Sequence, residues 1–132
     1  MKRTTRPAAP ARTESDERGK SMQKFSLDAI SREQLAKAAA AGSGRGAETV
    51  YGGHERSLRQ TVIALSSGRS LAEHENPGEA TVLVLDGRVR LSSGTVSWDG
   101  RRGDLLVIPQ ARHALEALTD AVVLLTVVKH PD

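Results

Sequence analysis

The sequence predicts an all-β fold, a sandwich or closed barrel of many short strands, preceded by one short helix. Two observations carry this reading. From Thr49 onward, turn signals recur at short intervals: Gly52-Gly53, Ser66-Ser67-Gly68, Pro77-Gly78, Asp86-Gly87, Ser93-Gly94, Asp99-Gly100, Gly103-Asp104, Pro109 and Thr119-Asp120. Between them lie short segments rich in β-branched and aliphatic residues, the pattern of a multi-stranded antiparallel domain. A length of 132 residues fits one such domain with attachments.

Residues 1–24 carry seven Lys or Arg against three Asp or Glu, a net +4, with Pro7, Pro10 and no periodic apolar pattern. Such a segment buries too little apolar surface to offset its ordering entropy, so it is expected to be a disordered basic tail. Met22 is expected to mark the start proper, because ordered-looking text begins there. The remaining residues hold twelve basic and thirteen acidic groups, a net −1, so the folded part has no electrostatic footprint for nucleic acid. Phe25, Tyr51 and Trp98 are too few aromatics for a base-stacking platform. Any contact with a polyanion falls to the tail.

Residues 25–48 read as a short helix and a Gly-rich connector. Ser31 with Gln34 matches a capping box, and Ile30 with Leu35 a hydrophobic staple; alanines then propagate the helix through Ala41 until Gly42 stops it. The apolar side is small (Leu35, Ala38, Ala39), as suits a helix lying on the outside of a sheet. Gly42 to Gly46 lacks the Lys-Ser/Thr ending of a phosphate loop.

Residues 49–132 form the barrel domain. Its strands are expected at Thr49–Tyr51, Ser57–Leu65, Ser70–His74, Ala80–Leu85, Arg88–Ser92, Thr95–Trp98, Leu105–Ile108, His113–Leu118 and Val122–Lys129. Three are apolar on both faces: Val82 to Leu85, Leu105 to Ile108, and Val122 to Val128 with Thr126 as its one break. A sheet with one wet face should alternate instead. One small helix cannot cover all these outer faces, which predicts a homodimer packed sheet on sheet. Trp98 is expected to be a packing residue.

The absence of Cys rules out disulfides and thiolate metal sites, and nothing points to an oxidising compartment. No apolar run approaches the ~20 residues of a membrane span, so a soluble cytoplasmic protein is expected. Nucleophilic catalysis has no support: there is no G-x-S-x-G elbow, and no serine has an arguable base and orienting acid.

The turn spacing resembles that of the cupin family, double-stranded β-helix barrels of the jelly-roll type. The family's first motif is G-x5-H-x-H-x3,4-E-x6-G, matched in spacing by Gly68, His74, Asn76, Ala80 and Gly87. The second is G-x5-P-x-G-x2-H-x3-N, matched by Gly103 and Pro109, with Ala111 for the glycine and His113 one residue early. The resemblance spans roughly residues 49–129. It implies a cupin-type barrel, and in many relatives a divalent metal (Zn, Fe, Mn or Ni) held by three histidines and a glutamate.

Carried over by position, His74 and His113 survive as metal ligands, Asn76 replaces the second histidine, and Ala80 replaces the glutamate. Two imidazoles make a weak site, since three protein ligands are usual even in open zinc sites. Glu79 substitutes only if the turn rotates. The leading reading is a small single-domain cupin that binds a small molecule, or a weakly held divalent metal, inside the barrel. His74, Asn76, His113 and Gln60 would form the polar wall. By alternation Gln60 shares a face with Leu58, Val62 and Ala64, and His113 with Leu115 and Ala117; one shared cavity is expected. The alternatives are a metal-dependent dioxygenase or isomerase using His74 and His113, and a dimeric regulatory or sensor protein with a basic N-terminal arm.

Overall fold

The computed structural model describes residues 11–15, 21–74 and 78–129. The elements run β1 (Ala11–Ser15), β2 (Ser21–Phe25), α1 (Leu27–Ala40), β3 (Arg45–Tyr51), β4 (Leu58–Leu65), β5 (Ser70–His74), β6 (Glu79–Asp86), β7 (Arg88–Ser93), β8 (Val96–Arg101), β9 (Leu105–Ile108), β10 (His113–Ala117) and β11 (Ala121–Val128). Nine of these strands form two sheets, ordered β3-β4-β11-β6-β9 and β5-β10-β7-β8. From β4 to β11 the chain changes sheet at every step except β7 to β8. That alternation makes a double-stranded β-helix, and all the pairings are antiparallel.

The two sheets close on an aliphatic core. Ile63 and Leu65 of β4, Val82 and Val84 of β6, and Val123 of β11 meet Val89 and Leu91 of β7 and Leu115 of β10. Gly87, in the β6–β7 turn, has φ of +77°. A Cβ there would also strike the carbonyl of Asp120, so this position of the first motif is glycine for two independent reasons.

A second cluster lies outside the barrel. Ile30 and Ala38 of α1 pack on Val62 and Ala64 of β4 and Val122 of β11. Full burial of Ile30 contributes about 1.5–3 kcal/mol of transfer free energy. The helix begins earlier than its sequence suggests. Ser26, not Ser31, is the cap, and its Oγ accepts from the Ala29 amide at 3.2 Å. Phe25 before that cap and Ile30 both join the outer cluster, forming the staple. Ser31 and Gln34 are instead buried in the helix, because the face they occupy rests on the sheet.

Three further differences have local causes. The segment 1–24, expected to be disordered, contains β1 and most of β2, paired from Ala11↔Phe25 to Ser15↔Ser21. Backbone pairing against the strand that leads into Phe25 needs no apolar period, so composition does not reveal it. β3 starts at Arg45 rather than Thr49, because Gly46 lets that strand pass close under Gln34 of α1. β8 continues through Asp99-Gly100, where a turn is expected: Asp99 pairs with Arg90 across the ladder, and Gly100 lies against Val84 and Leu106.

Candidate functional site

His113 opens β10 and is 4% exposed, among the few buried polar residues of the described chain. It shares strand parity with Leu115 and Ala117, both in the barrel core, so it belongs to the inner face. Its Nδ1 lies 2.9 Å from the Ala111 carbonyl, and only a ring N–H can donate there. In the neutral ring the lone pair is therefore on Nε2. The contact comes from the Pro109–Arg112 loop, whose Ala111 carbonyl lies two residues before the ring.

Register places the backbone of His74 directly opposite His113, just before a bulge in the β5–β10 ladder. The topology thus brings the two expected histidines to one end of the barrel. Asn76 and His130 lie outside the described residues. Ala80 is 6% exposed and in the core, paired with Ile108 of β9. Glu79 is exposed and sits on the opposite face of β6, so it cannot stand in for the missing glutamate. Among the described residues no three His, Asp or Glu side chains gather as a metal-ligating group. Ala80 and Glu79 leave the position of the family's glutamate without a donor.

Gln60 corrects the shared-cavity expectation. Its face of β4, with Val62 and Ala64, packs toward α1 and not into the barrel. Its Nε2 donates to Thr126 Oγ1 of β11 at 3.2 Å. It lines a groove of about 640 Å³ on the outside of the barrel, with Phe25, Tyr51, Leu58 and Leu124. Arg56 stacks there 5.2 Å from the centre of the Tyr51 ring. Gln60 and His113 therefore serve different surfaces.

The deep barrel is nearly filled. The cavity between Leu71, Val82, Leu115 and Val123 is about 30 Å³ and aliphatic, room for about one water with no polar partner to hold it. Space opens at the His113 end instead. A groove of about 330 Å³ is lined by Leu91, Ser93, Val96, Trp98, Val107 and Pro109. Ser93 Oγ donates to the Arg112 carbonyl at 2.9 Å, which ties this groove to the loop that carries His113.

Trp98, expected to be a packing residue, is 68% exposed. It pairs with Leu91 across β7–β8 and shares the inner parity of buried Gly100. At this end the barrel wall outreaches its core, so an inward position is left open. A tryptophan of inner parity opposite a core leucine at a strand end was the signal available in the sequence. His54 is exposed.

No protein-family model and no curated protein matches the chain. Solved structures do. A conserved protein of unknown function from Streptococcus pyogenes is 27% identical, with a TM-score of 0.62 over 70% of this chain and 80% of its own. An RmlC-like cupin from Desulfovibrio desulfuricans is 26% identical, with a TM-score of 0.56 over 64% and 81%. A cupin 2 conserved barrel domain protein from Leptotrichia buccalis is 30% identical, with a TM-score of 0.59 over 72% of this chain and 46% of its own. The double-stranded β-helix, the motif glycines and these likenesses agree: the chain belongs to the cupin superfamily. None of its described helices is long and apolar enough to cross a membrane.

Proposed function

We propose that this cupin binds a small molecule at the His113 end of its barrel, in the groove walled by Leu91, Val96, Trp98 and Pro109. The observation that carries the reading is the contrast between a filled aliphatic interior and an open groove beside a buried, oriented imidazole. A volume of about 330 Å³ lies at the lower end of small-molecule sites, about 300–1,000 Å³. The exposed Trp98 ring gives a flat apolar surface for a ligand ring. His113, with the backbone of His74 opposite it, supplies the polar contact that fixes orientation.

The reading favours a ligand over a resident metal, because Ala80 and Glu79 deny the site its third donor. A fragment screen followed by nitrogen-15 spectra of the side chains tests it. Ligands that bind here shift the Trp98 indole and His113 imidazole signals together. Ligands that shift only the Tyr51 and Gln60 region would move the site to the outer groove. Elemental analysis of chelator-free protein provides the second arm. Near-stoichiometric metal, lost in His74→Ala, would replace this reading with the metal-enzyme one; less than about a tenth of an equivalent is expected.

A further inference from the structure

The outward pairs of the β7–β8 ladder are Ser92–Ser97, Arg90–Asp99 and Arg88–Arg101. The first two are compatible: serine faces serine, and Arg90 holds both oxygens of Asp99. The third sets one guanidinium against another. Residues directly opposite on one face have Cβ atoms about 4.5–5.5 Å apart, and like charges placed so are destabilising. Both side chains are exposed. Among the described residues, neither guanidinium has a hydrogen-bond or ion-pair partner.

The backbone holds both arginines in this conflict. The Arg88 amide donates to Thr119 Oγ1 at 3.0 Å, and its carbonyl accepts from the Leu118 amide at 2.9 Å. The Arg101 amide donates to Asp104 Oδ2 at 2.9 Å, and its carbonyl accepts from the Asp104 amide at 2.8 Å. A groove of about 430 Å³ is lined by the two arginines, Asp99, Gly100 and Asp104. Its carboxylates are already engaged, Asp99 by Arg90 and Asp104 by the turn after β8. The charge of Arg88 reaches Asp99 without a bond between them.

We infer that this groove binds a compact phosphate dianion, free or as a monoester, between Arg88 and Arg101. A single carboxylate offers two oxygens, enough for one guanidinium fork. A tetrahedral phosphate offers oxygens to both forks and replaces repulsion with two charge-assisted contacts. A long polyanion is disfavoured, because Asp99 and Glu116 lie in the adjoining row and Asp104 borders the groove. The site is separate from the groove beside Trp98. Arg88 starts β7 and Ser93 ends it, and a strand of that length spans about 17 Å.

Thermal melting in inorganic phosphate, with sodium chloride holding ionic strength constant, tests this. The wild-type chain should bind phosphate with a Kd on the order of 1 mM. At tenfold excess over that value it should gain about 5 °C in Tm. Phosphate also stabilises proteins in general by exclusion from their surface, a contribution shared by every variant. Arg88→Gln and Arg101→Gln should each lose most of the remaining gain. In chloride alone neither variant should melt below wild type, since the like-charge pair is gone; circular dichroism checks their fold. In nitrogen-15 spectra the Nε signals of Arg88 and Arg101 should move with phosphate while that of Arg56, on the other sheet's groove, stays. Phenyl phosphate separates the two sources. Tighter binding than inorganic phosphate marks an ester as the ligand, equal or weaker binding marks the free ion, and either supports the inference. Equal phosphate gains in wild type and both variants, or Nε shifts no larger at Arg88 and Arg101 than at Arg56, overturn it.

Discussion

The outer faces of the two sheets are built from the same strand geometry and carry opposite chemistry. On the four-stranded sheet, register lines up Asp99, Arg90 and Glu116, with Arg88 and Arg101 in the next row. Arg90 donates to both Asp99 oxygens, at 2.7 and 3.2 Å. On the five-stranded sheet the corresponding rows are leucine, valine, threonine and glutamine. Inside the barrel both sheets contribute to one aliphatic core. The difference therefore reflects what each outer face meets. One meets water; the other meets α1 over part of its area.

Substitutions can break this contrast, and the largest effect should come where the apolar face is already covered. Val62 is fully buried under α1, and Val62→Asp places an unpaired carboxylate there. A loss of about 4 kcal/mol or more is expected in urea unfolding. Ile30→Ala removes the matching side chain from the helix and should cost about 2–4 kcal/mol, with the barrel core still intact. Replacing Leu105, exposed on the edge strand, by Glu should leave stability near wild type.

The smallest effect should come from the charged face. The hydrogen bond and charge of Arg90 hold the Asp99 carboxyl below the usual carboxylate range. A carboxylate with a lowered folded value adds stability that is complete above its unfolded pKa of about 4. That stability is lost as pH falls through the lower folded value. The pair is 43% exposed on each side, so solvent screens it. Asp99→Asn should change the melting temperature by no more than about 2 °C at neutral pH. Between wild type and variant, even this gap should close as the solution is acidified below pH of about 4.

Much of the contrast was legible in the sequence. The three runs that are apolar on both faces became β6, β9 and β11, all in the five-stranded sheet. The alternating Arg88-Val89-Arg90-Leu91 became the wet-faced β7. The motif spacing fixed the barrel turns, and it brought His74 and His113 to one end. What alternation could not give was which face of β4 points inward. Val62 and Ala64 on one side are as apolar as Ile63 and Leu65 on the other. Parity grouped Gln60 correctly with Leu58, Val62 and Ala64, yet could not say that this group lies under a helix.

The helix start was misplaced for a related reason. Ser26 and Ser31 are both competent caps, and only the docking of Phe25 beside Ile30 decides between them. Trp98 followed parity faithfully. Its exposure depends on how far β8 extends past the core, which is a property of the assembled barrel and not of the strand.

Hydroxyl-radical footprinting reads both faces in one experiment. Ile30 and Val62, closed between α1 and the five-stranded sheet, should be protected, while Leu105 on the edge strand should be labelled. Glu116 and Arg101 on the other sheet should be labelled as well. Labelling of Ile30 and Val62 as strong as that of Leu105 would show the outer cluster to be open and contradict the account.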